Sequence, residues 1–339
     1  MFSKLKNYGT MDKDPLLKGF DPTMADKTGQ LKEQYYTPPP KLGKWEGFKI
    51  FLWNSETGQF LGRTAGSWAK ILLFYFCFYS VLIGFFSAML AIFYQTLDSK
   101  VPKWQLDASL IGSNPGLGFR PMPPESHVES TLVWFKKTDT KNLQVWVNMI
   151  DEFLQPYKNR SVGGNVVNCD YENSPPEGKV CYVDIKAWEP CTSQKNYSYG
   201  AGTPCIFLKL NKIYNWNPDY YENTEQLPEK MPQDLKNHIS SETSSSPNAA
   251  KTVWVSCEGE NPADVENIGS IHYFPKRGFP GYFFPYKNQE GYLSPVIALW
   301  FESPTPGVLI NIECKAWAKN IFHDRMERRG SVHFELMVD

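Results

Sequence analysis

The sequence predicts one transmembrane helix carrying a mainly β domain with several loop insertions. Three observations predict it: one uncharged run long enough to cross a bilayer, six cysteines confined to the residues after it, and a series of short alternating segments rich in β-branched and aromatic residues. Whole-chain averages conceal this division. With 339 residues, 35 basic against 36 acidic side chains and a mean hydropathy of -0.42, the chain reads as an ordinary soluble protein. Those values exclude a multi-span transporter, a collagenous rod and a wholly disordered chain. The formal charge of -1 supplies no basic excess, so no nucleic-acid partner is expected.

Residues 1–44 have little periodicity and contain Pro38, Pro39 and Pro40, so this arm is expected to stay disordered unless a partner orders it. Residues 45–62 combine aromatics with Gly and Asn beside the apolar run, which suits a segment lying at the bilayer interface or against a neighbouring protein.

The 27 residues 71–97 carry no charge, and all but Ser80, Gly84, Ser87, Gln95 and Thr96 are apolar. About 20 such residues cross the hydrocarbon core as a helix, and a buried core helix seldom stays apolar all round for so long. The lipid bilayer is therefore the first partner. A single helix cannot line a solute pathway by itself, so the chain is not a complete transporter. Residues 1–70 hold 11 basic and 7 acidic side chains, residues 98–339 hold 24 and 29, and the resulting +4 and -5 place the N-terminus in the cytosol. Because the run begins only at residue 71, behind charged sequence, it reads as an uncleaved signal-anchor of a type II membrane protein. On a helical wheel Tyr75, Tyr79, Leu82, Phe86 and Phe93 share one face, while the small-xxx-small pair Ser80 and Gly84 lies on another. Three domains follow: a cytoplasmic arm 1–70, the span 71–97, and an extracellular domain 98–339.

Of seven cysteines, Cys77 lies in the span and Cys169, Cys181, Cys191, Cys205, Cys257 and Cys314 lie on the expected outer side. An even number in an oxidising compartment implies a disulfide framework, for which six cysteines permit 15 connectivities. Nearest-neighbour pairing would join Cys169–Cys181, Cys191–Cys205 and Cys257–Cys314. There is no C-x-x-C, and the five histidines stand at no ligand spacing from the cysteines, so no metal is expected. Two sequons, at Asn159 and Asn196, mark glycosylation sites in the same region.

Residues 131–135, 180–185, 205–210, 252–257, 296–301, 308–318 and 331–338 read as strands. Val332, Phe334, Leu336 and Val338 alternate onto one face, as do Val308, Ile310, Ile312, Cys314 and Ala316. Antiparallel strands with one buried face, joined by long loops, give an immunoglobulin-like β-sandwich with insertions and three disulfides as the expected fold. Residues 144–154 suit a short helix with Val145, Ile150 and Phe153 apolar, and the serine-rich 240–246 reads as a mobile loop.

No phosphate loop, nucleophile elbow, H-E-x-x-H or nucleotide fingerprint is present, so no catalytic residue and no cofactor are expected. Glu258, Glu260, Asp264 and Glu266 form an acidic cluster that reads as a solvated loop before a weak cation site.

Three stretches carry a specific resemblance: FLGRTAGSWAKILLFYFCFY at 60–79, CEGENPADVENIGSIHYFPKRGFPGYFFPYKNQEGYLSP at 257–295, and IECKAWAKNI at 312–321. With the six outer cysteines, they resemble the β subunits of the sodium/potassium and hydrogen/potassium P-type ATPases from about residue 44 to the C-terminus. The resemblance implies the three consecutive bridges named above. It also implies a non-catalytic subunit that stabilises a catalytic α subunit, delivers it to the plasma membrane and tunes its potassium and sodium affinity. It assigns Tyr75 and Tyr79 to contact with an α-subunit helix. The Ser80 and Gly84 face is left for a second close neighbour, a small single-span regulatory subunit. Tyr282, Phe283, Phe284, Pro285 and Tyr286 match a segment that docks on the α subunit outside the membrane. Aromatic clusters also fill sandwich cores, and both uses remain open for the individual side chains. The alternatives are a hydrogen/potassium pump β subunit and a single-pass cell-adhesion glycoprotein.

Overall fold

The computed structural model describes residues 43–123, 130–327 and 329–339, so nearly all of the arm expected to be disordered lies outside the described residues. The chain divides into two compact units, Met1–Leu90 and Ala91–Asp339.

In the first unit, α1 (Lys44–Leu52) leads into a small antiparallel meander of β1 (Trp53–Asn54), β2 (Gln59–Phe60) and β3 (Arg63–Thr64). Asn54 builds the first turn by accepting from the backbone N–H groups of Glu56 and Thr57 at 3.0 and 3.3 Å. Leu61 and Gly62, with φ of 52° and 72°, make the second, the two-residue hairpin that demands positive φ at both positions. The interfacial segment read from composition thus has a helix and sheet of its own. Directly after it runs α2 (Ala65–Gln95), 31 residues with none buried, and Trp68 Nε1 donates to the Phe60 carbonyl at 2.8 Å. At about 1.5 Å per residue the helix exceeds the ~30 Å hydrocarbon core, and it is the one helix among the described residues long and apolar enough to cross a membrane. It starts six residues ahead of the uncharged run and ends two short of its end.

The second unit is mainly β. Its strands are β4 (Leu117–Arg120), β5 (Leu132–Phe135), β6 (Val166–Val167), β7 (Val180–Cys181), β8 (Cys205–Leu210), β9 (Thr252–Gly259), β10 (Ile271–Phe274), β11 (Gly278–Pro280), β12 (Val296–Phe301), β13 (Ile310–Trp317) and β14 (Ser331–Val338). They form a four-stranded sheet in the order β10-β12-β8-β4, a five-stranded sheet in the order β11-β9-β13-β14-β5, and a small β6-β7 pair. The two main sheets share one core: Phe334 of β14 stacks on Phe119 of β4 at 5.0 Å and meets Phe301 of β12 edge-on at 6.3 Å.

The structure departs from the expected antiparallel arrangement in the small β6-β7 pair, which is parallel, and at β5, which pairs with β14 in parallel. Only a tight turn forces opposite directions on the strands it joins; a longer loop links β6 to β7, and about 200 residues separate β5 from β14. The expected strand at 180–185 contracts to two residues, whereas those at 205–210, 296–301 and 331–338 hold along their whole length.

Strands β8 and β12 are buried on both faces, which explains their nearly unbroken apolar runs. The cover over β8 is α3 (Thr140–Lys158) with the turn segment Ser193–Ala201: Phe207 meets Phe153, Trp188 and Tyr197. Helix α3 runs longer than the expected 144–154. Asp139 caps it by accepting from the N–H groups of Lys141 and Asn142, and its buried stripe is Trp146, Val147, Ile150, Leu154 and Tyr157. Of the apolar residues expected to define that stripe, Val145 faces out and Phe153 is half-buried.

The serine-rich 240–246 is not a loop but, up to Ser245, part of α4 (Gln233–Ser245). Serine and threonine are weak helix formers, yet here Ser240, Thr243, Ser244 and Ser245 each donate to a carbonyl four residues back. Leu235 and Ile239, one turn apart, bury against Trp254 and Trp317 on the outer face of the five-stranded sheet. Tertiary packing thereby overrides local propensity. The remaining helix, α5 (Pro262–Asn267), is a short capped turn after β9.

Candidate interaction surfaces

On α2, Tyr75 and Tyr79 stand one turn apart with ring centroids 6.0 Å apart and planes at 23°, each about half exposed at 49% and 53%. The i, i+4 spacing stacks them into one continuous aromatic strip. Ser80 and Gly84 are exposed, and a Cβ added at Gly84 would meet nothing within 4 Å, so that side of the helix is open to close approach.

The aromatic segment of the second unit begins where β11 closes the edge of the five-stranded sheet. Gly281 donates its N–H to the Lys251 carbonyl at 2.8 Å. A Cβ there would lie 2.5 Å from the Tyr220 hydroxyl and 2.7 Å from that carbonyl, so only glycine permits this approach. The chain then makes a tight turn over Gly281–Phe283 and turns the five aromatic-segment side chains to different uses. Phe283 is buried in the core. Tyr282 and Phe284 are half-buried, Tyr282 edge-on to Tyr171 at 5.6 Å and Phe284 edge-on to Trp216 at 5.5 Å. Burial, with Tyr171 and Asp170 nearby, pushes the Tyr282 hydroxyl up to about 12. Pro285 and Tyr286 are half-exposed.

Tyr286 is half-buried and held by its neighbours. Its backbone carbonyl accepts from Asn215 N–H at 2.7 Å, its hydroxyl donates to Asn288 at 3.0 Å, and its ring lies 5.0 Å from that of Tyr292. The Lys212 ammonium stands 5.0 Å from the Tyr286 ring and 5.3 Å from the Tyr292 ring, a shared cation–π contact, and burial holds its pKa below the ordinary lysine value. Asn288 Nδ2 donates to the carbonyl of Lys100. A groove of about 340 Å³ separates the segment from the loop before β7.

The sequence alone does not mark Lys212, Tyr214 and Tyr292 as neighbours of this segment. The aromatic density of 214–221 signals a packed segment, but nothing in the order of residues brings it to Tyr286.

Disulfides join Cys169–Cys181, Cys191–Cys205 and Cys257–Cys314. The third links directly opposed residues of β9 and β13 on the buried side of the sheet. Asn159 is exposed at the C-terminus of α3, and Asn196 is exposed on the Ser193–Ala201 turn. In the acidic cluster, Glu260 pairs with Arg325 at 2.9 Å and with His333 at 2.5 Å. Asp264 accepts from Asn261 and Asn311 in the cap of α5. These two carboxylates therefore serve the fold, and among the described residues no group of three or more His, Cys, Asp or Glu side chains is arranged to hold a metal ion.

A family model described as the sodium/potassium ATPase β chain matches residues 39–334. Sodium/potassium-transporting ATPase subunit beta-2 of Drosophila melanogaster is 52% identical over 322 residues, covering 94% of this chain and all of that protein. Subunit beta-1 of the same organism is 40% identical over 302 residues, covering 88% of this chain and 95% of the relative. Human subunit beta-2 is 29% identical over 312 residues, covering 87% and 94%.

Proposed function

Because this chain belongs to the family of sodium/potassium ATPase β chains, we propose that it acts as the non-catalytic β subunit of a sodium/potassium-exchanging P-type ATPase. In this role it stabilises the catalytic α subunit, delivers it to the plasma membrane and modulates its potassium and sodium affinity. ATP hydrolysis then belongs to the α subunit. One observation carries the reading: the family pattern extends over residues 39–334, taking in the apolar helix, all three bridges and the aromatic segment in one chain.

Within this reading residues 1–70 are cytoplasmic, 71–97 span the membrane and 98–339 face outward, a topology supported by the charge division of +4 and -5. The two sheets sharing one core support an immunoglobulin-like sandwich as the architecture of the outer domain. The stacked Tyr75 and Tyr79 strip receives an α-subunit helix, and the Ser80 and Gly84 side leaves room for a small regulatory subunit. Outside, the segment Tyr282–Tyr286 divides its labour. Phe283 anchors it in the core, while Tyr286, flanked by Lys212 and Tyr292, meets the α subunit.

Extraction of native membranes in mild detergent tests the assignment. The chain is expected to co-purify in equal amount with a larger subunit showing ouabain-sensitive, sodium- and potassium-dependent ATP hydrolysis. Recovery as a lone glycoprotein contradicts it.

A further inference from the structure

The two sequons stand in opposite structural circumstances. Asn159 leaves the end of α3 into an open stretch, and Ser161, whose hydroxyl completes its sequon, is exposed. Asn196 also reaches the surface, but the rest of its sequon does not. Tyr197 is 1% and Ser198 8% exposed. The Ser198 hydroxyl is hydrogen-bonded to that of Thr203 at 2.6 Å, and the Thr203 N–H donates to the Ser198 carbonyl at 3.3 Å. Tyr197 packs edge-on against Phe207 at 5.6 Å, and its hydroxyl donates to Asp151 at 2.5 Å. Asn196, Tyr197 and Ser198 hold φ of 49°, 51° and 63°, three successive left-handed residues that only surrounding packing maintains. The Cys191–Cys205 bridge closes the loop containing them.

We propose that Asn196 is a fold-gated glycosylation site: it accepts its glycan only before the Cys191–Cys205 bridge closes and the Asn196–Ser198 turn packs, whereas Asn159 remains competent in the folded protein. The inference rests on the outward topology of residues 98–339. In the transfer, Asn196 Nδ2 attacks C1 of an oligosaccharide carried on a lipid pyrophosphate. The N–C1 bond forms, the C1–O bond breaks, the pyrophosphate leaves on its lipid, and the amide proton passes to a base of the transferase. That enzyme must hold the asparagine amide and the hydroxyl two residues on together. In the folded chain the hydroxyl is committed to Thr203, and exposing it means expelling Tyr197 from the core. Among the described residues, no side chain is hydrogen-bonded to the Ser161 hydroxyl.

Single-site variants of the full chain separate the two. Asn159→Gln leaves Asn196 as reporter and Asn196→Gln leaves Asn159, each read by glycosidase-sensitive gel shift during synthesis into endoplasmic-reticulum membranes. Dithiothreitol present during synthesis, or Cys191→Ser with Cys205→Ser, is expected to raise occupancy at Asn196 and leave Asn159 unchanged. In a second measurement, unglycosylated full chain in detergent is offered purified transferase and donor. The oxidised, folded chain is expected to accept at Asn159 with complete loss of transfer at Asn196, and the reduced, unfolded chain to accept at both. Equal transfer to both sites of the oxidised chain overturns the proposal. Absence of glycan at both sites under every condition during synthesis overturns the outward topology and the proposal with it.

Discussion

Replacing Gly281 by alanine tests whether the aromatic segment is positioned by the close approach beneath it. The added methyl carbon would lie 2.5 Å from the Tyr220 hydroxyl and 2.7 Å from the Lys251 carbonyl. Tyr220 is half-buried against the core, and the carbonyl belongs to the backbone leading into β9, so neither moves freely. Overpacking of this kind costs about 1–3 kcal/mol. At about 2–4 °C per kcal/mol for a domain of this size, the melting temperature of the full chain should fall by about 2–12 °C. The segment should also tilt away from β9, because the Gly281 N–H bond to Lys251 cannot survive the displacement. Gly200→Ala is the control, since a Cβ there meets nothing within 4 Å, and its change should stay within about 0.5 kcal/mol. Thermal unfolding of both variants by circular dichroism, with recovery of the associated α subunit from the same membranes, gives the comparison. Equal melting temperatures and equal α recovery for the two variants would refute the positioning argument.

Tyr286→Ala removes a half-exposed ring without opening the core, so it should lower α co-purification while all three bridges and the unfolding temperature stay near the parent's; undiminished recovery counts against the contact. Phe334→Ala, at a fully buried position touching Phe119 and Phe301, should cost about 3–5 kcal/mol in thermal unfolding, and a loss under 1 kcal/mol would contradict a shared core. Acidification should weaken the β domain through two histidines. Burial holds His323 below its ordinary 6.5, the hydrogen bond to the Ala316 carbonyl opposing, and burial with Arg277 does the same at His238. Their neutral folded forms cost nothing above 6.5, and stability falls as pH drops below it because the unfolded chain takes up protons first. Melting curves between about pH 7.5 and 5.5 should slope accordingly, and His238→Gln with His323→Gln should flatten them.

Much of the β domain is readable where one side chain pattern has one cause. The alternation of Phe334, Leu336 and Val338 follows from a single buried face, and the runs at 205–210 and 296–301 follow from burial on both. The pattern weakens where structure depends on distant neighbours. The edge strand β11 is only Gly-Phe-Pro and owes its existence to pairing with β9, and β4 is four residues containing a glycine. Helix α4 looks like a loop because its sequence is polar. Two apolar residues landing on Trp254 and Trp317 decide otherwise, and that meeting is invisible along the chain. The aromatic segment is legible as an aromatic segment, but the separate fates of Phe283 and Tyr286 are not. They arise from the turn at Gly281 and from Lys212, Tyr214 and Tyr292 arriving from elsewhere. The span is the plainest feature, since absence of charge over such a length admits few uses.

The most direct test of the assigned role is surface transport activity when a sodium/potassium ATPase α subunit is expressed with and without this chain. Ouabain-sensitive rubidium uptake and surface-biotinylated α subunit are expected to appear only with the chain present. Full α delivery and uptake in its absence, unchanged on adding it, would contradict the account.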